Sequence, residues 1–427
     1  MSHYAIVAPP LYSHVRAQEA LAQALIARGH RITFIQQADA RALLSDPRIG
    51  FCAVGAASHP AGSLARTLHL LANPSGLSIR HIIADLASTT DMLCRELPLA
   101  LEKLSIDGVI VDQMEAAGGI VAEALGLPFV SVACALPVNR EPGMPLPVMP
   151  FDYATDERAR RLYDASKTIY DWLMRGHGRV IARHARRFGL SPRSALHDCL
   201  SPLAQISQTL PEFDFPRKAL PACFHAVGPL RPTMNVVDPP FPRSTQSPAR
   251  PLIFASLGTL QGHRYSLFRT LARACRRLNA ELLIAHCGGL NAAQAERLKA
   301  HGATYVTDFA DQHRMLRQAQ VVITHGGLNT VMDAVVSRTP VLAVPIAFDQ
   351  PGVAARVVYN GIGRRVSRFA SSSTVAHHLK LLLSDESYLR NMSALQPSLQ
   401  RAGGVELAAD IVARTLCAQR SVIAETT

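Results

Sequence analysis

Short apolar runs alternate with amphipathic helical stretches along most of this 427-residue chain, and that alternation leaves few folds open. Tyr4–Pro9 reads as a strand. Val15–Arg28 reads as a helix with Ala20, Leu21, Ala24 and Leu25 on its inner face, closed by Gly29 at the C-cap. Arg31–Gln36 is the next strand, which completes a βαβ unit and predicts a parallel sheet. Further strands are predicted at Gly108–Val111 and Phe129–Val132, with a helix over Glu115–Leu125 between them. The alternation restarts later, with strands at Leu252–Ser256, Glu281–His286, Thr304–Val306, Val321–Thr324 and Val341–Pro345.

Proline marks the breaks. Pro137, Pro142, Pro145, Pro147 and Pro150 exclude a helix or a central strand over 137–150. That stretch is expected to be a stiff, extended loop beyond a strand end, where ligands of α/β sheets sit. A second run, Pro229 to Pro251, is polar and semi-rigid, as domain connections are. The division expected is a Rossmann-like domain over 1–235, a linker over 236–250 and a second Rossmann-like domain over 251–427, whose last helix packs back on the first. The fold class is α/β: two doubly wound domains facing each other across a cleft.

Composition narrows the class. Hydrophobic residues make up 48% and charged residues 18%, which suits large buried cores and excludes a disordered chain. Mean hydropathy is +0.12, but the most apolar stretch, Leu125–Val138, holds two prolines, and a spanning helix needs ~20 predominantly apolar residues. The first residues lack a basic and then apolar leader, so a cytoplasmic location is expected. The eight cysteines show no CxxC spacing and are expected to be reduced. Net charge is +12, and much of the excess falls in Asp156–Phe188. There Arg158, Arg160, Arg161, Lys167, Arg175, Arg179, Arg183, Arg186 and Arg187 interleave with Leu162, Ile169, Trp172, Leu173, Val180 and Ile181. This is a basic amphipathic helix, expected to break near Gly176–Gly178. It is either a solvated face or a peripheral contact with an anionic membrane surface. Zinc-finger spacing and RNP aromatics are absent, so nucleic acid is not an expected partner.

The chemistry concentrates in Ala319–Gln350. The strand Val321–Thr324 ends at His325, Gly326 and Gly327 turn the chain, and a helix starts near Leu328 and runs to about Ser337. Unpaired N–H groups at that helix start form an anion site suited to a diphosphate. His325, Asn329 and Thr330 add side-chain donors. Asp333 lies one helical turn beyond Asn329, where a carboxylate can accept from a ribose diol. Asp349 and Gln350, after the next strand, suit the hydroxyls of a hexose. In the first half, His14 lies in the loop after the first strand, at the ligand edge of the sheet, and is a suitable general base. Asp112 follows the strand Gly108–Val111.

This pattern resembles the donor-binding signature of the UDP-glycosyltransferases, a family with the GT-B fold. The likeness covers most of the chain, through SVACALPVNREPGMPLPVMPF, KTIYDWLMR, SPLAQIS, PRKALP, FHAVGPLR, FASLGTLQGHRY and AFDQPGVAARVVY, and is strongest to the bacterial carotenoid branch. The resemblance implies that His14 is the base and Asp112 its partner. It implies that His325, Gly327, Asn329 and Thr330 line the diphosphate, and that Asp333 holds the ribose, where many relatives carry Glu. Asp349 and Gln350 bind the sugar. Ser256 and Thr259 match the serine-rich turn facing the phosphates, and Asp308, Phe309 and Gln312 lie where the family holds uracil. Plant relatives stack a tryptophan on the base, but the only tryptophan here is Trp172, elsewhere in the chain.

The implied reaction is inverting transfer of glucose from UDP-glucose to a terminal hydroxyl of a carotenoid diol such as zeaxanthin, giving a β-glucoside or diglucoside. UDP-glucose is a substrate, and no cofactor is expected. No strand ends in the paired aspartates that hold a metal in other glycosyltransferases, so no metal is expected either. Other apolar acceptors (a sterol, macrolide or polyketide) remain open, as does a non-catalytic UDP-sugar-binding protein. An epimerase would have no use for an apolar loop at the cleft. A nicotinamide dehydrogenase is disfavoured because the first turn reads APPLYSH and not GxGxxG.

Overall fold

The computed structural model describes residues 1–74, 76, 78–232 and 250–418. The predicted linker, 236–250, lies outside the described residues except for Arg250. Seven strands form the first sheet: β1 (His3–Val7), β2 (Arg31–Gln37), β3 (Gly50–Val54), β4 (Gly108–Asp112), β5 (Phe129–Ala133), β6 (Gln205–Ser207) and β7 (Phe224–Ala226). Six form the second: β8 (Leu252–Ser256), β9 (Glu281–Ala285), β10 (Tyr305–Thr307), β11 (Val321–Thr324), β12 (Val341–Ala343) and β13 (Gly363–Arg365).

The spatial orders are β3-β2-β1-β4-β5-β6-β7 and β10-β9-β8-β11-β12-β13, and every neighbouring pair is parallel. Both orders reverse direction beside their first strand, at β1/β4 and β8/β11. A crevice opens at such a switch point because successive crossover helices leave to opposite faces. The central strands are buried on both sides, as continuous apolar runs such as LIFAS and VVIT require.

The first sheet carries the helices Tyr12–Ala27 and Gly404–Ala418 on one face. The second half of Ser78–Lys103, together with Ala116–Ala124, covers the other. The last described helix of the chain thus belongs to the core of the first sheet, with Ile411, Val412 and Leu416 packed against it. The expected break in the basic helix is absent: Glu157–Arg187 is one continuous helix. Gly178 serves packing. A Cβ on Gly178 would lie 2.6 Å from the Ser194 carbonyl oxygen, so glycine lets that loop cross against the helix.

A buried ion pair joins the two halves. Arg356, in the helix Gln350–Tyr359, donates from Nε to Asp214 Oδ1 at 2.6 Å, and both side chains are buried. Its guanidinium also lies 4.1 Å from the centroid of the Phe215 ring. Two charges taken from water repay their desolvation only when paired, and removing one strands the other. Asp214→Ala is therefore expected to lower unfolding free energy by ~3–5 kcal/mol in urea titrations, and a compensating Arg356→Met is expected to recover much of the loss.

Candidate active site

The predicted base, His14, and its predicted partner, Asp112, meet where two strand ends adjoin. Asp112 is the last residue of β4 and has no exposure, and His14 lies in the first turn of the helix that follows β1. Their contact, His14 Nδ1 to Asp112 Oδ2, is 2.8 Å. The other carboxylate oxygen accepts from the Met114 N–H at 2.9 Å, which fixes the group's orientation. Burial pulls the His14 pKa down. The Asp112 charge and hydrogen bond, with the charge of Asp349, more than offset this, and the imidazole titrates above its ordinary 6.5. The geometry leaves Nε2 as the ring atom for an acceptor proton.

The helix Leu328–Ser337 starts where the sequence places it, at N-cap Gly327, and no side chain caps it. Its first N–H groups remain for an anion. The His325 ring lies between two glycines. A Cβ on Gly258 would come within 2.8 Å of the ring, and one on Gly327 within 2.7 Å. Gly258 also has φ +73°, which L side chains rarely adopt. Burial lowers the His325 pKa to about 4, so at neutral pH the ring donates as a neutral imidazole.

Ser256 ends β8 and Thr259 lies in the next turn, both on the cavity wall. Asp349 follows Phe348, a bulky residue at φ +58°. Such backbone costs ~1–3 kcal/mol and persists only where its surroundings hold it. Asp349 Oδ2 accepts from the Leu136 N–H of the first domain at 3.3 Å, and burial raises its pKa. Gln350 Oε1 accepts from the Ile346 and Ala347 N–H groups, which leaves the amide nitrogen for a sugar hydroxyl.

Several predicted residues have different surroundings from those expected. Asp308 is not on the cavity wall; its exposed carboxylate pairs with His286 Nε2 at 3.1 Å. Phe309, next to it, reaches the cleft rim with its ring largely exposed, open to stack on a base. Gln312 is engaged by its neighbours, donating to Asp333 Oδ2 at 2.6 Å and accepting from Thr330 Oγ1 at 3.2 Å. Asn329 bridges the domains, with its amide donating to the Ser13 carbonyl at 3.0 Å and its oxygen accepting from Gln208 at 2.6 Å. Asp333 is buried, and its Oδ1 accepts from Arg231 Nε at 2.9 Å. Sequence reading missed Arg231 and Gln208. The only local signal for Arg231 was a charge between a buried leucine and a proline just before the linker.

Apart from Asp112 and Asp308, the predicted site residues line one cavity of about 1850 Å3, with Arg231 beside them. Pockets for small ligands span ~300–1,000 Å3, so this one has room for a nucleotide sugar and a large second substrate together. Its lining also includes the apolar side chains of Ile83, Leu86, Met114, Val138, Leu146 and Met174. Cys134 lies with His14 and Asp112 inside 4.8 Å, a spacing a metal could bridge. Burial pushes its thiol well above the usual range.

A buried His14–Asp112 pair and an uncapped helix start on one cavity, between two doubly wound domains, are what a GT-B glycosyltransferase requires. The family described as "UDP-glucoronosyl and UDP-glucosyl transferase" matches residues 194–401. A zeaxanthin glucosyltransferase of Pantoea ananas is 59% identical over 99% of this chain and 98% of its own. Another, from Pseudescherichia vulneris, is 53% identical over 99% of this chain and all of its own. Among solved structures, the glycotransferase of kitacinnamycin superposes with a TM-score of 0.74 at 21% identity, covering 97% of this chain and 98% of that one. The chain belongs to the UDP-glycosyltransferase family and is a glycosyltransferase with the GT-B fold.

Asp112 both orients His14 and raises its pKa, and the two effects separate experimentally. Since the base must be neutral to act, the acid limb of the kcat/KM profile is expected above pH 6.5 in the native enzyme. Asp112→Asn is expected to lower kcat by roughly 10²–10⁴ and to move that limb to lower pH, as read from initial rates across pH.

Proposed function

We propose that this protein transfers glucose from UDP-glucose to the terminal hydroxyl of zeaxanthin, with inversion at the anomeric carbon. The observation that carries the reading is the oriented His14–Asp112 pair at the meeting point of a diphosphate-ready helix start and an apolar cavity. The two full-length zeaxanthin glucosyltransferase relatives support the choice of acceptor and sugar.

In this mechanism the acceptor hydroxyl gives its proton to His14 Nε2 as its oxygen attacks the anomeric carbon. The new C–O bond forms on the face opposite the diphosphate, and the old C–O bond breaks with its electron pair leaving on UDP. The N–H groups of Leu328–Ser337 and the neutral His325 ring stabilise the diphosphate charge. Asp112 stabilises the imidazolium that forms. Asp349 and Gln350 bind the glucosyl hydroxyls, Asp333 accepts from the ribose diol, and Phe309 stacks on the uracil. Departure of UDP is assisted by protein dipoles, so no metal is required.

The proposal is tested by UDP release from UDP-glucose with zeaxanthin in liposomes, with and without EDTA. Acceptor-dependent release that survives EDTA and yields a β-glucoside is the expected result. Release only with another hydroxylated lipid would remove the carotenoid, and UDP binding without release for any acceptor would leave a binding protein.

A zeaxanthin molecule is dissolved in a bilayer, and the basic helix suits a surface contact with one. No helix among the described residues is long and apolar enough to cross a membrane. Glu157–Arg187 carries nine Arg and Lys side chains against three acidic ones, and it exposes Leu162, Ile169, Trp172 and Leu173. Trp172 and Leu173 also border the cavity. Apolar side chains amid cations favour anionic headgroups. Wild-type protein is expected to float with vesicles containing anionic lipid and not with purely zwitterionic ones. Leu162→Asp/Ile169→Asp is expected to abolish flotation while leaving turnover of a detergent-dissolved acceptor intact.

A further inference from the structure

The donor-site carboxylate Asp333 does not stand alone. Arg231 reaches it from the end of the first domain, two residues before the chain leaves the described segment. The guanidinium donates four hydrogen bonds: Nε to Asp333 Oδ1 at 2.9 Å, one terminal nitrogen to the Asn329 carbonyl at 3.1 Å, and the other to Gln208 Oε1 at 3.2 Å and its neighbour's carbonyl, that of Leu230, at 2.8 Å. Gln208 in turn holds the Asn329 side chain, whose amide holds the Ser13 carbonyl beside the base. The bonds to Asp333 and Asn329 join one domain to the other, as do those from Asn329 to Gln208 and Ser13, and Arg231, Asn329 and Asp333 line the cavity.

This wiring has a chemical consequence. A carboxylate that is buried must be paired, and a planar guanidinium fixes its partner's oxygens in direction as well as charge. Without Arg231, Asp333 would keep only the amide of Gln312 at 2.6 Å and a distant His313 ring at 4.0 Å. It would then be free to rotate, and a carboxylate turned away from the ribose accepts poorly from a diol.

We infer that Arg231 is a positioning residue of the donor site, holding Asp333 in the orientation that receives the ribose hydroxyls and so setting the preference for ribose over deoxyribose nucleotides. The inference rests on the reading of Asp333 as the ribose ligand. It places a specificity determinant of the second domain's pocket on the first domain's chain, so a donor is recognised fully only when the domains are closed on each other.

The test compares binding of UDP and 2′-deoxy-UDP by calorimetry, with KM for UDP-glucose and kcat measured beside it. Arg231→Gln is expected to weaken UDP by roughly tenfold and 2′-deoxy-UDP much less, raising KM with little change in kcat. Arg231→Lys, which keeps the charge but not the fork, is expected to restore part of the preference. Thermal melts of both variants with and without UDP separate a folding defect from a binding one. If Arg231→Gln weakens both nucleotides equally, or neither, the positioning role is overturned. Asp333→Asn controls for the underlying reading: a preference that survives that change removes the ribose assignment itself. A preference lost in Asp333→Asn but kept in Arg231→Gln removes only the role of Arg231.

Discussion

The cleft depends on the buried pairing of Arg356 with Asp214. The two charges come from different domains, and neither tolerates solitude in a dry interface. Arg356 lies on the helix that begins at Gln350, so fixing the guanidinium fixes that helix against the first domain. Gly352 makes the approach sterically possible, because a Cβ there would sit 1.9 Å from the Pro147 carbonyl oxygen. The proline-rich loop therefore lies directly on the second domain's helix. Asp349, at the start of that helix, is carried to the Leu136 N–H and into the field of His14. One ion pair and one missing methyl group thus bring the Asp349 carboxylate into the neighbourhood of His14.

The chemistry is built from strand ends. His14 follows β1, Asp112 ends β4, Ser256 ends β8 and His325 follows β11, and these four strands flank the two switch points. At a switch point the crossover helices diverge, so backbone and side chains there face a crevice and not another helix. The electrostatics of the two sides are opposite. On the first domain a buried carboxylate keeps an imidazole readily protonated. On the second, burial without a carboxylate keeps His325 neutral. The same side chain thus has opposite electrostatic settings, its pKa raised by a carboxylate in one domain and lowered by burial in the other.

Much of this was legible from residue order. Strand–helix alternation placed β1, β2, β8 and β11 to within a residue or two, and the HGG turn placed the start of Leu328–Ser337, because each signal lies within about ten adjacent residues. β3, β6, β7 and β13 were not read. QIS, FHA and GRR present no continuous apolar run to mark a strand, whereas the equally short β12 lies in the apolar run VLAV. Gly176 and Gly178 looked like a helix break because glycine disfavours helix locally. The Ser194 loop packed on Gly178 supplies the reason for a glycine that no local rule contains.

By itself the sequence determined the two doubly wound sheets and which side chains stand at their ligand edges, since periodicity and strand ends are properties of neighbours along the chain. Only the tertiary structure decided how those side chains are used. It turned Asp308 to His286, tied Gln312 to Asp333 and Asn329 to Ser13, and brought Arg231 to Asp333 across 102 residues of sequence. A polar group's partner is whichever complementary group lies within about 3 Å, and for contacts between domains that is set by the closure of the fold.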